Sequence, residues 1–233
     1  MADERKQGTI VLVHGAWSDG SIWTEVLVNL AHQGYKVRAA QIPLTSFAAD
    51  VAAVELLLNQ VAGPVLLVGH SYGGAVITQA GHHPKVKALA YITAFAPEPD
   101  EVFGSIMGLH PAKEGLTLVP DAKGFLWLDS DFAASALGQD LHIGTVRLAV
   151  AVQKPIHAEV FAQKLSDPAW KMRRNSYLIT TEDRVLAPET QHLLATRIGA
   201  RTEEVAAGHF VPLSQPQAVA NFLKTSADAL SAL

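Results

Sequence analysis

Three residues of the sequence, a serine, an aspartate and a histidine, have the types needed for nucleophilic catalysis. Ser71 stands within a G-x-S-x-G pattern, and Asp183 and His209 follow it along the chain. Serine is a weak nucleophile at neutral pH, so it needs a base within hydrogen-bond reach and a third group that holds this base in one tautomer. His209 is suited to be the base, and Asp183 is suited to orient it.

The stretch Gly69–Gly74 lies between an apolar run at 64–68 and a helix-compatible run at 75–80. A serine between a strand and a helix occupies a tight, strained turn, and glycines two positions before and after it leave room for the turn to close. The helix start also directs unpaired amides and its positive dipole end at Ser71. The alternative is an ordinary glycine-rich turn with a capping serine.

Two alternatives concern the acid and the base. Asp183 could simply cap the following helix, and its neighbour Glu182 is a competing carboxylate. We favour Asp183 because its shorter side chain loses less conformational freedom when it orients an imidazole. Five further histidines are given no site role in this interpretation: His82, His83, His110, His142 and His157.

Apolar patterning predicts the elements that position these residues. Predicted strands alternate with segments of helical spacing, and the strands 8–13 and 86–93 are nearly continuous apolar runs, typical of strands buried on both faces. The predicted strands are 8–13, 35–40, 64–68, 86–93, 176–181 and 201–206, and the predicted helices are 23–33, 47–61, 75–80, 188–198 and 216–230. This alternation predicts an α/β fold with a mostly parallel central sheet and helices on both faces. The strand ends of such a sheet meet at one edge, where Ser71, Asp183 and His209 would converge.

The alternation stops between residues 98 and 174, where aromatic residues occur among glycines and prolines. A segment of this length is too long for one structureless loop in a compact domain. We therefore predict a helical cap, residues 98–174, inserted over the strand ends above Ser71, with a helix over 133–153. Residues 1–97 and 175–233 would form the core of a single domain.

Composition narrows the class of protein. The chain has 233 residues, 49% of them hydrophobic, enough for one domain with its own core. A net charge of -4 without charge blocks predicts neither a nucleic-acid partner nor a membrane partner. The absence of cysteine excludes disulfides, thiolate metal sites and a cysteine nucleophile. The charged start Met1–Gln7 and the lack of a membrane-length apolar run predict a cytoplasmic protein with a small-molecule partner, and they indicate no oligomeric state.

Five stretches give the chain a resemblance to a known family: Val11–Trp17, Gly69–Gly74, Ala94–Pro97, Thr181–Arg184 and Gly208–His209. Over nearly its whole length the chain resembles the α/β-hydrolase superfamily, in particular small bacterial esterase-like members related to plant methylesterases and hydroxynitrile lyases. The resemblance implies that Ser71 is the nucleophile, His209 the base and Asp183 the orienting acid, with no cofactor and no metal. It also implies an oxyanion hole built from the backbone amides of Tyr72 and of either Ala16 or Trp17.

Two departures help to choose among relatives of this kind. The lyases resemble this chain but have a lysine directly after the catalytic histidine and a threonine after the first histidine, where this chain has Phe210 and Gly15. Dehalogenases and epoxide hydrolases have an aspartate at the position of Ser71. The residues therefore favour a serine hydrolase that cleaves a small carboxylic ester through an acyl-enzyme. The alternatives are other chemistry on the same triad, namely C-C hydrolysis, perhydrolysis or hydroxynitrile-type lysis, and a non-catalytic receptor for a small ligand.

Overall fold

A parallel sheet of six strands lies at the centre of the fold. The computed structural model describes residues 8–114 and 117–228, so Met1–Gln7 and the end of the predicted helix at 229–230 lie outside the described residues. The strands are β1 (Thr9–Val13), β2 (Lys36–Ala40), β3 (Val65–Ser71), β4 (Val86–Ala94), β5 (Leu118–Pro120), β6 (Phe125–Leu128), β7 (Ile156–His157), β8 (Arg174–Thr180) and β9 (Arg201–Val205). The central sheet has the order β2-β1-β3-β4-β8-β9, and β5, β6 and β7 form a separate sheet. The predicted α/β class with a mostly parallel sheet is confirmed.

The central strands are mostly apolar because helices cover both faces of the sheet. All five residues of β1 are buried, as are the first six of β3. Val13 pairs with Gly69, and Gly69 in turn pairs with Tyr91 on β4. This register brings the carboxyl ends of β1, β3 and β4 to the same edge of the sheet, where the chain turns at Ser71.

Helices flank the central sheet, and further helices lie in the segment 98–174. In chain order they are α1 (Thr24–His32), α2 (Phe47–Gln60), α3 (Gly73–Ala80), α4 (Ser130–Phe132), α5 (Ile143–Ala151), α6 (Pro188–Arg197), α7 (Val211–Ser214) and α8 (Pro216–Asp228). Helices α4 and α5 are those of the segment 98–174. Helix α1 packs against α8, and α2 packs against α3. Throughout the described ranges, no helix combines the length and the apolar character needed to cross a membrane.

The segment 98–174, called the cap below, departs from the helical prediction in containing an antiparallel sheet of three short strands, β5, β6 and β7. These strands have three, four and two residues, and their side chains are mostly half-buried or exposed. The longest apolar run among them, the four residues of β6, is too short for periodicity to distinguish a strand from a helix. The prediction of helices alone in residues 98–174 is therefore wrong for this sheet.

The helix predicted over 133–153 is also interrupted. Helix α4 continues as a wider π-helical turn, Ala133–Leu137, and stops at Gly138. Helix α5 then starts afresh at Ile143, where the His142 ring accepts a hydrogen bond from the Gly144 amide at 3.1 Å. Local capping thus outweighs the apolar spacing that runs through the whole stretch.

Hydrogen bonds join the cap to the loops that follow β1 and β2. The Trp17 indole donates to the Leu126 carbonyl at 2.9 Å, and the His157 amide donates to the Leu44 carbonyl at 2.9 Å. The Lys154 ammonium donates to the Ile42 carbonyl. The cap is therefore held against the loops that follow β1 and β2, next to the edge where Ser71 lies.

Candidate active site

Ser71 lies at the sharp turn from β3 into α3, with a positive φ of 53°. This backbone conformation costs free energy for any residue with a Cβ, and such strain is found preferentially at functional sites. The turn closes only because its neighbours are glycines: a Cβ on Gly69 would lie 2.6 Å from the Gly73 carbonyl oxygen. The motif therefore forms the strained turn that its sequence predicts, and Ser71 remains partly exposed above the sheet.

A continuous hydrogen-bonded chain joins the three predicted residues. His209, in the loop after β9, has Nε2 2.9 Å from the Ser71 Oγ and Nδ1 2.7 Å from the Asp183 Oδ2. Because a carboxylate only accepts hydrogen bonds, Nδ1 carries the proton and Nε2 is left to accept from the serine hydroxyl. In this arrangement the Ser71 proton can pass to His209 while Asp183 fixes the ring.

Asp183 is fully enclosed and accepts hydrogen bonds through both of its carboxylate oxygens. The amides of Val185 and Leu186 donate to Oδ1 at 2.8 Å and 2.9 Å, and the Thr93 hydroxyl donates to Oδ2 at 2.6 Å. Burial raises the pKa of Asp183, but attraction to His209 and these hydrogen bonds outweigh burial and leave the pKa below its usual value. Asp183 is therefore a carboxylate at neutral pH.

Glu182, the competing carboxylate, has an exposed side chain outside this network. Its backbone carbonyl oxygen accepts a hydrogen bond from the Gln139 side-chain amide at 2.9 Å. Of the two neighbouring acids, Asp183 is therefore the one that the fold brings to His209.

Three residues that the sequence analysis did not select support the chain of hydrogen bonds. Thr93, near the end of β4, has a positive φ of 37°. In this conformation its hydroxyl donates a hydrogen bond to Asp183. Gln191 on α6 donates to the same carboxylate at 3.2 Å. The buried His70 ring has its Nε2 2.8 Å from the carbonyl oxygen of His209, to which it donates. Burial lowers the pKa of His70 to about 3, so this ring is neutral beside the base.

The loop after β1 comes to the same place. A Cβ on Gly15 would lie 2.8 Å from the Ser71 Cβ, so the loop backbone passes directly over the serine. Ala16 and Trp17 both line the cavity at Ser71, as does Tyr72. The choice between Ala16 and Trp17 as an amide donor thus stays a prediction.

Tyr72, directly after the serine, is anchored by its side chain. Its hydroxyl donates to the Asp50 Oδ2 at 2.6 Å, while the Asp50 Oδ1 accepts from the Leu44 amide at 2.6 Å. Both Tyr72 and Asp50 are buried. The anchor fixes the start of α3, and with it the backbone amide of Tyr72.

The cavity above Ser71 is enclosed and mostly apolar. Its volume is about 20 Å³, room for roughly one water molecule. Core and cap both contribute to the lining: Ala16, Trp17, His70, Ser71, Tyr72, Phe95, Met107, Leu137, Phe161, Val185, Leu186, His209 and Phe210. Only about one water molecule therefore fits beside the serine, and the apolar lining strengthens electrostatic interactions there.

The remaining histidines of the sequence analysis lie elsewhere. His110 contacts the Thr190 hydroxyl at 3.2 Å, and His142 and His157 accept hydrogen bonds from amides two residues further along the chain. Their absence from the cavity lining agrees with giving them no site role. Across residues 8–114 and 117–228, no group of three or more acidic, histidine or cysteine side chains is arranged to hold a metal ion.

Comparison with known proteins relates this geometry to a family. A carbendazim-hydrolysing esterase from Nocardioides sp. (strain SG-4G) is 31% identical over 179 residues, which cover 70% of this chain and 66% of that protein. Methylesterase 2 of Arabidopsis thaliana is 24% identical over 262 residues, covering 98% of this chain and 99% of that protein.

Solved structures show the same fold. A pyrethroid hydrolase from Sphingobium faniae JZ-2 superposes with a TM-score of 0.81 at 22% identity, covering 97% of this chain and 99% of that chain. The family model described as the alpha/beta hydrolase family matches residues 10–222. This match includes the turn at Ser71 and the loops of Asp183 and His209, so the chain belongs to the alpha/beta hydrolase family.

Proposed function

We propose that the protein is a cofactor-independent serine esterase that cleaves a small carboxylic ester through an acyl-enzyme. The observation that carries the proposal is the unbroken chain of hydrogen bonds from the Ser71 Oγ through His209 to Asp183. The names of the relatives agree with it, since they include a carbendazim-hydrolysing esterase and a methylesterase.

In the first half of the proposed reaction, the Ser71 Oγ attacks the ester carbonyl carbon while His209 Nε2 takes the hydroxyl proton. The carbonyl oxygen becomes an oxyanion, which accepts hydrogen bonds from the amides of Tyr72 and of Ala16 or Trp17. Each such donor contributes about 3 kcal/mol of transition-state stabilisation. When the tetrahedral intermediate collapses, the C-O bond breaks, and His209 gives its proton to the leaving alcohol.

In the second half, a water molecule replaces the alcohol. His209 takes a proton from this water as its oxygen attacks the acyl carbon, and the proton then returns to the Ser71 oxygen as the acid leaves. Asp183 stays ionised throughout and stabilises the imidazolium that forms twice in each cycle. Its lowered pKa and its amide donors support this role.

Gly15 argues against the lyase alternative. Lyases of the resembling kind have a threonine at this position, whereas here a single added Cβ would already lie 2.8 Å from the Ser71 Cβ. Ester hydrolysis needs no side chain there, because the backbone amides supply the donors. The proposed substrate is therefore a small ester. The proposed location is the cytoplasm, and no nucleic-acid or membrane partner is proposed, in line with the net charge of -4.

The test is steady-state hydrolysis of p-nitrophenyl acetate, butyrate and octanoate by wild type and by Ser71→Ala. We expect the substitution to lower kcat by about 10⁴-fold or more, because the nucleophile is lost while the fold is kept. Ser105→Ala, at an exposed serine outside the site, is the matched control and should retain full turnover. Equal activity of Ser71→Ala and wild type, with circular dichroism showing folded protein, would contradict the proposal.

A further inference from the structure

The cavity at Ser71 is too small for the ester that the site would cleave. Its volume of about 20 Å³ holds about one water molecule, whereas pockets that bind drug-sized ligands are about 300–1,000 Å³. One or more of its walls must therefore move before an acyl carbon reaches the Ser71 Oγ. The direction of that movement decides which part of the surface becomes continuous with the site.

A larger cavity lies directly beside this one. The outer groove, of about 220 Å³, runs between the stretch 17–24, helix α5 and helix α7. Its apolar lining consists of Trp17, Ile22, Leu148, Ala149, Val152 and Leu213, together with Phe210. Leu148 is 64% exposed and Val152 is 50% exposed, so the groove presents apolar surface to water that a ligand would cover favourably.

Trp17 and Phe210 line both the outer groove and the cavity at Ser71. The Trp17 ring is held in place, because its indole donates to the Leu126 carbonyl at 2.9 Å and it stacks on Phe161 with a centroid distance of 6.0 Å. The Phe210 ring has no hydrogen-bonding atom; it lies in the buried core, 5% exposed, with its centroid 6.4 Å from that of His209 and 6.5 Å from that of His70. Rotation of Phe210 costs no side-chain hydrogen bond, so Phe210 is the wall that can move.

We infer that the outer groove is the subsite for the apolar part of the ester, and that it joins the cavity at Ser71 when Phe210 turns aside. This inference rests on the proposed function and names its substrate class. The group bound there is an uncharged aliphatic chain or aromatic ring, because the lining is apolar and its rim carries the Asp19 carboxylate and the hydroxyls of Ser18 and Thr24. A carboxylate at the far end of the substrate would be repelled by Asp19.

The kinetic test compares Leu148→Glu with Leu56→Glu. Both leucines are exposed helix residues, at 64% and 67%, and Leu56 lines neither cavity. For Leu148→Glu we expect the ratio of kcat/KM for p-nitrophenyl octanoate to that for p-nitrophenyl acetate to fall about tenfold, since a charge in the wall removes the benefit of burying methylene groups. Leu56→Glu should keep the wild-type ratio. An unchanged ratio in Leu148→Glu would overturn the inference.

A binding test separates the subsite from the catalytic proposal. In the Ser71→Ala background, the uncharged fluorescent probe N-phenyl-1-naphthylamine should bind, and adding Leu148→Glu should raise its dissociation constant about tenfold. Adding Leu56→Glu should leave the constant unchanged. Binding that is insensitive to Leu148→Glu would overturn the subsite even if Ser71 proves essential for turnover. Loss of the esterase proposal alone would instead appear as absent turnover with probe binding still dependent on Leu148.

Discussion

Asp183 holds its negative charge because backbone amides, the Thr93 hydroxyl and the Gln191 side-chain amide donate hydrogen bonds to it. The orientation of His209 depends on that charge. We predict that Asp183→Asn lowers kcat by about 10⁴-fold, as the loss of the orienting charge does in other serine hydrolases, because the amide favours the wrong imidazole tautomer. The measurement is p-nitrophenyl butyrate hydrolysis, with circular dichroism to verify the fold.

The neighbouring acid supplies the control for this substitution. Glu182→Gln changes the same charge one residue away, but its side chain is exposed and does not reach His209. We expect its kcat to stay within about twofold of wild type, since surface substitutions of this kind have small effects. Comparable losses in the two variants would mean that net charge near the site, rather than the bond to His209, determines the rate.

Single residues were predictable where a motif identified them. Ser71, Asp183 and His209 each follow a predicted strand, so their position at the sheet edge could be predicted from the sequence. Thr93 could not be selected in this way, because in the apolar run of β4 a threonine resembles any other β-branched core residue. Its link to Asp183 depends on the positive φ at the strand end and on the pairing of β4 with β8, both of which are tertiary features.

Among the elements, the loop after β1 is the one whose path is restricted most directly by the serine. We predict that Gly15→Ala lowers kcat/KM for p-nitrophenyl acetate about 100-fold, because the added methyl, 2.8 Å from the Ser71 Cβ, displaces the loop amides from the oxyanion position. It should also lower the free energy of unfolding by about 1–3 kcal/mol through overpacking. Urea denaturation measures the second effect.

Gly108→Ala is the matched substitution in the cap. A Cβ at Gly108 would have no heavy atom within 4 Å. We therefore expect wild-type kinetics and a stability change within about 0.5 kcal/mol. A Gly15→Ala enzyme as active as Gly108→Ala would show that the loop can shift without disturbing the oxyanion donors.

The strands and helices of the core were predictable because their apolar periodicity is long and regular. Strands such as β1 and β3 are buried on both faces and therefore leave continuous apolar runs. The cap was less predictable, because strand pairing between β5, β6 and β7 involves only a few residues each, and side-chain contacts rather than periodicity decide it. The restart of the helix at Ile143 likewise depends on a capping hydrogen bond that apolar spacing does not reveal.

At the scale of the whole molecule, buried neutral histidines link stability to pH. Burial lowers the pKa of His14 to about 4 and that of His70 to about 3. In the unfolded chain a histidine takes up its proton near pH 6.5. Between about pH 6.5 and 4, the unfolded state therefore binds one more proton per buried histidine than the folded state does, so the free energy of unfolding falls as the pH is lowered.

We predict that His14→Gln makes this pH dependence shallower by about 1.4 kcal/mol per pH unit between pH 6 and 4.5. The measurement is the free energy of unfolding in urea at several pH values. Above pH 7 the curves for variant and wild type should run parallel, because both states of His14 are then neutral. Equal slopes in the acid range would mean that His14 becomes protonated in the folded protein.

The order of strands in the central sheet has a consequence for how activity arises during folding. The strand pair β4 and β8 joins segments separated by the whole cap, from Ala94 to Arg174, and closing such a long loop is a slow, non-local step. Asp183 meets Thr93 only across that strand pair, and it meets His209 only after β9 has paired with β8. Helices can form and apolar side chains can collapse before these strands pair. The appearance of activity during refolding should therefore coincide with the pairing of β8 and β9 into the sheet, rather than with the formation of secondary structure.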